Sequence, residues 1–344
     1  MEVYFDNSAT TRVLDSVRDV VVKVMTEDYG NPSAKHRKGM EAEQYVRQAA
    51  SRIAKTLKVK DKEILFTSGG TESNNMALIG TAMANQRAGK HIISTRIEHA
   101  SVYNPLAFLE QQGFEVTYLS VDSQGHISLE ELEASIRPDT ILVSVMYVNN
   151  EVGAIEPIEE IASLVHGRNP AILLHVDAIQ AYGKLVIHPK KQGIDLLSVS
   201  AHKFHGPKGV GFLFIDGRVK IHPLLYGGGQ QKDLRSGTEN VPGIAGMGAA
   251  AQEMYTDHQE KVDYITGLKD YMIDRMGQLE GVTVNSLKGN QGAPQIVSAG
   301  FAGVRSEVLL HALEEKGIYV SSGSACSSNH PAISGTLKAI GVKK

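Results

Sequence analysis

From Ile64 onward, short apolar runs alternate with longer stretches of helical periodicity. The runs are Ile64 to Phe66, His91 to Ser94, Val116 to Leu119, Ile141 to Val148, Ile172 to Val176, Leu196 to Val199 and Val210 to Ile215. This alternation predicts crossover units and a mostly parallel sheet flanked by helices, an α/β fold. Helices are expected over Thr71 to Ala84, over Ala100 to Gln112 with Gly113 as the stop, and over Ser128 to Ile136. In the last of these, Ser128 and Glu131 stand at capping-box spacing. Another helix is expected from Pro157, since proline is tolerated in a first turn. Upstream, Val46, Ala50, Ile53 and Leu57 recur at helical spacing and should pack one face on the sheet.

Beyond about Gly248 the pattern changes to a long polar helix through Arg275, short strands at Thr283 to Val284 and Ile296 to Val297, and a helix from Glu307 to Lys316. A chain of 344 residues exceeds one ordinary core. The expected organisation is a large domain over residues 13–248 and a smaller α+β domain made of residues 1–12 and 249–344. No internal repeat or low-complexity linker is evident.

Composition narrows the class. Hydrophobic residues at 42% and charged residues at 21% are the balance of a globular enzyme. A net charge of -3 gives no basic footprint for nucleic acid. The longest apolar runs fall far short of the roughly 20 residues that span a bilayer. Met1-Glu2 leads straight into Val3-Tyr4-Phe5 without a basic or apolar leader, so a cytoplasmic location is expected. The single cysteine, Cys326, excludes an internal disulfide and any metal or cluster site built from several thiolates of this chain. Lone cysteines are usually small buried side chains. This one is flanked by serines at 321, 322, 324, 327 and 328 and by Gly323, a polar setting with little apolar surface to pack against.

Ligands in open parallel sheets sit beyond the carboxyl ends of the strands. Residues just after the apolar runs therefore carry the candidate chemistry. After Ile64 to Phe66 comes Thr67-Ser68-Gly69-Gly70-Thr71-Glu72, a glycine turn opening a helix, whose N–H groups suit a phosphate; read alone, it is equally a plain turn. After His175-Val176 comes Asp177, with Gln180 three residues on; an acid there is either a ligand or a helix cap. After Leu196 to Val199 comes Ser200-Ala201-His202-Lys203. A lysine directly after a buried strand suffers desolvation unless it is paired or neutral, which favours a Schiff-base amine over a surface lysine. Ser200 and His202 beside it are potential phosphate donors.

Asp177-Ala178-Ile179-Gln180 and Ser200-Ala201-His202-Lys203, with Ser68-Gly69-Gly70-Thr71-Glu72-Ser73 and Arg235-Ser236-Gly237-Thr238, resemble the fold-type I pyridoxal-phosphate enzymes of the class V aminotransferase group. Within that group, Ser321-Ser322-Gly323-Ser324-Ala325-Cys326-Ser327-Ser328 resembles the catalytic loop of the cysteine desulfurases of nitrogen fixation and iron-sulfur cluster assembly. The match begins at Tyr4-Phe5-Asp6-Asn7-Ser8-Ala9-Thr10-Thr11. It implies that Lys203 holds the aldehyde of pyridoxal phosphate, Asp177 the pyridine nitrogen and Gln180 the ring hydroxyl. Gly70, Thr71, Ser200 and His202 would hold the phosphate, joined by Thr238 from a neighbouring subunit of a homodimer with shared sites. His99 would stack on the ring and could move protons, and Asn150 would lie near substrate and ring. Lys203 would take the alpha proton of L-cysteine, and Cys326 would attack the substrate sulfur, become a persulfide and pass it to a sulfur-acceptor or scaffold protein as alanine leaves.

The family continues a few dozen residues past the position of Lys344, including a strand whose arginine binds the substrate carboxylate. A polypeptide ending at Lys344 is expected to bind cofactor and to bind cysteine weakly; alternatively, the sequence is a segment of a longer protein. Competing functions are another pyridoxal-phosphate reaction, such as selenocysteine lyase or amino transfer, and a non-catalytic sulfur-relay or docking protein.

Overall fold

A computed structural model describes residues 2–322 and 334–342. In chain order the strands are β1 (Val3–Tyr4), β2 (Ile64–Thr67), β3 (His91–Thr95), β4 (Glu115–Leu119), β5 (Thr140–Met146), β6 (Leu173–Asp177), β7 (Leu196–Ser200), β8 (Gly211–Ile215), β9 (Val282–Val284), β10 (Ala299–Phe301) and β11 (Ile318–Tyr319). The helices are α1 (Asp15–Thr26), α2 (Arg37–Leu57), α3 (Gly70–Asn75), α4 (Thr81–Asn85), α5 (Ala100–Gln111), α6 (Leu129–Ser135), α7 (Ile158–Arg168), α8 (Pro189–Gln192), α9 (Val241–Tyr255), α10 (His258–Met276), α11 (Ser306–Glu314) and α12 (Gly335–Ala339).

Among the described residues, β2 to β8 form a seven-stranded sheet in the order β2-β8-β7-β6-β5-β3-β4. Strands β4, β3, β5, β6 and β7 are mutually parallel, and β8 runs antiparallel to both β7 and β2. Every residue of β5, β6 and β7 is buried, as helices on both faces require. Val143, Val145, Leu174, Val176, Leu197 and Val199 meet Ile53 and Leu57 of α2 on one face. On the other, Leu142 and Ile92 meet Val102, Leu106 and Leu109 of α5. A polar row also crosses the buried sheet: His175 Nδ1 lies 2.8 Å from Ser144 Oγ and its Nε2 lies 2.9 Å from Ser198 Oγ. Burial pushes His175 down to about 3, so the ring is neutral and both nitrogens are satisfied by hydroxyls.

Two smaller pairings lie outside the main sheet. Strand β1 pairs parallel with β11, Val3 opposite Ile318 and Tyr4 opposite Tyr319, which ties the N-terminal residues to the C-terminal part of the chain. Strands β9 and β10 are antiparallel.

Several expectations are corrected in detail. The helix expected over Thr71 to Ala84 is interrupted by a π-helical turn, Met76–Gly80, between α3 and α4. Only half of the capping box forms: Ser128 Oγ accepts from Glu131 N at 3.1 Å, but the Glu131 carboxylate accepts from Ser120 N. Pro157 is the N-cap of α7 and not its first residue. The single helix expected through Arg275 is two, broken where Asp257 adopts φ 48°. Gly248 lies inside α9, where a Cβ would come within 2.7 Å of the Ala49 Cα of α2, so this glycine marks a close helix crossing and not a change of element. Ile296 forms no strand; it is buried in the large core against Gly153, and the strand falls three residues later at Ala299.

Glu156, just ahead of α7, is almost fully buried, with one carboxyl oxygen accepting from Ile127 N at 3.2 Å. The other oxygen has no donor among the described residues. Burial pushes this acid up to about 8 from an ordinary value of 4.5. Between those limits the folded chain keeps a proton that the unfolded chain has released. The contribution is therefore fully present below pH 4.5 and is lost as pH rises through about 8, by at most about 1.4 kcal/mol per pH unit. Glu156→Gln removes this loss. Thermal melts at pH 5 and pH 8 should show the variant gaining on the parent as pH rises; equal differences at both pH values would contradict the buried-acid assignment.

Candidate active site

Strand register gathers the site at one edge of the sheet. Gly211 of β8 pairs with Thr67 of β2 on one side and with Ser200 of β7 on the other. The turn after β2 and the turn after β7 therefore open side by side, next to the end of β6 at Asp177. Gly69 adopts φ 147°, a conformation that an L side chain rarely takes, and this lets the chain turn sharply into α3. A Cβ on Gly69 would lie 3.7 Å from Ser200 Oγ, and one on Gly70 would lie 3.5 Å from Ser200 Cβ, so Gly69, Gly70 and Ser200 form one cradle. Glu72 braces it: its carboxylate accepts from Ser68 N at 2.7 Å and from Arg235 Nε at 2.8 Å. Burial opposes ionisation of Glu72, but these bonds outweigh it and hold the acid below its ordinary value.

Asp177 is 4% exposed at the end of β6. Its Oδ1 accepts from Ile179 N at 3.0 Å and its Oδ2 from Asn74 Nδ2 at 2.8 Å. Burial pushes the acid up, opposed by those two bonds and by the charge of Lys203. Three residues on, Gln180 Nε2 donates to the Ser8 carbonyl at 2.9 Å, while Gln180 Oε1 is buried with no donor among the described residues.

Lys203 follows β7 on a short 3-10 turn. Its Nζ donates to the carbonyls of Ser8, at 2.6 Å, and Ala9, at 2.8 Å. The Ser8 carbonyl thus receives both Lys203 and Gln180. Thr11 fastens the same segment from the other end, its N and Oγ1 donating to the His202 carbonyl at 2.8 and 2.9 Å. His202 Nδ1 lies 3.2 Å from Thr10 Oγ1. Burial, then the charges of Lys203, Lys208 and Lys184, push His202 down to about 4. Lys184, buried beneath, donates to the Lys203 carbonyl and is pushed down to about 7 by burial and then by Lys203.

His99 is the N-cap of α5, with Nδ1 accepting from Ser101 N at 3.1 Å. It borders, with Thr71, Asn75 and Phe108, an open cleft of about 520 Å³. Glu98 is turned inward; one carboxyl oxygen accepts from Met146 N and Thr95 Oγ1, both at 2.8 Å. Burial and then the neighbouring Asp177 push Glu98 up to about 8. Asn150 is half-buried in the turn after β5. Thr238 is exposed and, with Ser68, Gly209 and Arg235, lines a small cavity of about 80 Å³. Cys326 lies outside the described residues.

The sequence reading gave no role to Ser8, Ala9, Asn74, Glu98, Ser101 or Lys184, which complete this arrangement. Asn74 alone had a usable signal, since it lies four residues after Gly70 on the same face of the helix. Pyridoxal phosphate fits the donor set. A buried carboxylate suits a ring nitrogen, the orphan Gln180 Oε1 suits a ring hydroxyl, a lysine amine suits the aldehyde, and the Gly69–Gly70 and Ser200 cradle suits the phosphate.

The Aminotransferase class-V family matches residues 3–340. A cysteine desulfurase IscS of Dictyoglomus turgidum is 44% identical over 342 residues, covering 99% of this chain and 86% of that protein. One of Methanosarcina thermophila is 45% identical over 340 residues, covering 99% and 83%. Among solved structures, a NifS-like protein superposes with a TM-score of 0.94 at 40% identity, over 100% of this chain and 91% of that one. SspA in complex with cysteine superposes with a TM-score of 0.85 at 34% identity, over 100% and 95%.

Proposed function

The chain belongs to the class-V aminotransferase family and is a pyridoxal-phosphate-dependent cysteine desulfurase; we propose that it moves the sulfur of L-cysteine to Cys326 as a persulfide, releases L-alanine, and passes the sulfur to an acceptor protein for iron-sulfur cluster assembly. The observation that carries the residue assignment is the convergence of Lys203, Gln180 and the Ser8 carbonyl one strand away from the buried Asp177. Bound there, the cofactor supplies an electron sink for charge left on the alpha carbon of the substrate.

The chain's own groups do the rest. The Lys203 amine would hold the aldehyde and would serve as base for the alpha proton, and the Ser8 and Ala9 carbonyls fix where the amine rests. Asp177 would keep a proton on the ring nitrogen, and Gln180 Oε1 would accept from the ring hydroxyl. Gly70, Thr71, Ser200 and neutral His202 donate to the phosphate, each charge-assisted bond contributing roughly 1.5–3 kcal/mol. His99, beside the cleft, would cover the ring, and Asn150 would stand near the substrate. The Cys326 thiolate attacks the substrate sulfur: the S–S bond forms as the carbon–sulfur bond breaks, and its electron pair stays with the carbon that becomes the alanine methyl after protonation.

A homodimer completes the site in this reading. Exposed Thr238 is available to the phosphate of a second copy, and the open cleft beside Thr71 and His99 is bordered by Phe108, with Tyr103 also exposed on α5. The cytoplasm is the fitting compartment, because its reducing poise keeps a solitary thiol reduced between turnovers. No helix among the described residues is long and apolar enough to cross a membrane.

Mass spectrometry after exposure to L-cysteine tests the proposal. One added sulfur is expected on the Cys326 peptide, and none anywhere in Cys326→Ala. Full alanine formation by Cys326→Ala would reject the persulfide route and favour another pyridoxal-phosphate reaction.

A further inference from the structure

Behind the site, a buried hydrogen-bonded bridge joins the carboxylate at the end of β6 to the imidazole at the start of α5. Asn74 Nδ2 donates to Asp177 Oδ2 at 2.8 Å and to Ser101 Oγ at 2.9 Å. Ser101 Oγ lies 2.9 Å from His99 Nδ1, which also accepts from Ser101 N at 3.1 Å. Asn74 is fully buried and Ser101 is 7% exposed. We propose that Asn74 and Ser101 are positioning residues that fix His99 as the tautomer carrying its hydrogen on Nε2, so that His99 meets cofactor and substrate as a hydrogen-bond donor and not as a proton acceptor at that atom.

The direction of every bond in the bridge follows from the Asp177 carboxylate. An ionised acid only accepts, so the Asn74 amide must present its NH₂ group to it. The reversed amide would set Oδ1 against Oδ2 and lose both donations. The orientation that remains leaves Oδ1 buried without a donor among the described residues, a cost offset only by the two bonds at the other end. With an Asn74 N–H entering Ser101 Oγ, the serine hydroxyl hydrogen is directed to His99 Nδ1. That nitrogen then accepts from a hydroxyl and from a backbone N–H together, and a hydrogen of its own has no place there. The ring hydrogen is therefore on Nε2. An amide is not a proton carrier at these conditions, so Asn74 couples Asp177 to His99 in position without letting them exchange a proton.

This inference rests on the proposed placement of the cofactor beside His99 and Asp177, and its test reads the ring directly. Nitrogen NMR of the holoenzyme labelled at histidine, with the His99 signals assigned by their loss in His99→Gln, should show Nε2 protonated and Nδ1 as a hydrogen-bonded acceptor. In Ser101→Ala the Nδ1 signal should move toward that of a ring nitrogen with fewer donors, and kcat should fall about three- to tenfold with KM unchanged, the equivalent of one hydrogen bond. Ser101→Thr should restore both. Asn74→Asp, which can accept the serine hydroxyl and turn it away from His99, should shift the same signal. A proton on Nδ1 in the parent, or Ser101→Ala and Asn74→Asp spectra identical to the parent's, would overturn the assignment. Failure of the Cys326 label with the NMR pattern intact would instead count against the sulfur chemistry alone.

Discussion

Lys203→Ala is expected to lose the visible absorption of lysine-bound cofactor and to slow alanine release by about 10⁴-fold, because in the proposed mechanism one side chain would serve as both covalent anchor and base. Lys184 is the neighbouring amine, but it is buried and directed to the Lys203 carbonyl. Truncation also removes one of the donors that hold the N-terminal segment, leaving Gln180 on the Ser8 carbonyl, so loss of activity alone would not separate chemistry from folding. Lys203→Arg makes that separation. Arginine keeps a positive donor for the two carbonyls, yet its guanidinium stays protonated and cannot form the covalent link. Equal loss of absorption in both variants, with the arginine form melting closer to the parent, is the expected pattern. A visible band and alanine release near parental levels in either variant would refute the assignment of Lys203.

The sequence was most informative where chemistry depends on local pattern. Asp177, Ser200 and Lys203 could be found because parallel strands buried on both faces read as apolar runs, and the first polar residues after such runs lie at the ligand edge of the sheet. Partners across the chain left no comparable mark. The Ser8 and Ala9 carbonyls reach Lys203 from the far end of the sequence and belong to the backbone, so no side-chain identity points to them. Ser101 resembles an ordinary polar residue in the first turn of a helix, and only the packing of α3 against α5 shows that Asn74 reaches both Asp177 and Ser101. Local signals also misled where tertiary packing reused them. Gly248 reads as a break but serves a close crossing with Ala49, and Ile296 reads as a strand but fills the core beside Gly153. Glu131 completes a capping-box motif, yet its carboxylate is taken by Ser120 N, a partner that appears only once α6 packs beside β4.

Asp177→Asn should leave cofactor attached to Lys203, with its visible band shifted, and should lower kcat by about 10² to 10⁴-fold. The range follows from the roughly 3–5 kcal/mol lost when one member of a buried charge pair is removed, at about 1.4 kcal/mol per tenfold. The amide introduced by this change would also present hydrogens toward Asn74, whose donation to Asp177 is 2.8 Å in the parent, so part of the loss could be one of fit and not of charge. The exchanged double variant, Asp177→Asn with Asn74→Asp, distinguishes the two. It restores one donor and one acceptor across the same contact but moves the negative charge from the end of β6 to α3. Thermal stability should recover toward the parent in the double variant while kcat stays low, because the charge no longer stands where the ring nitrogen would lie. Recovery of kcat to within about fivefold of the parent would show that hydrogen-bond complementarity, and not charge at position 177, is what the reaction requires.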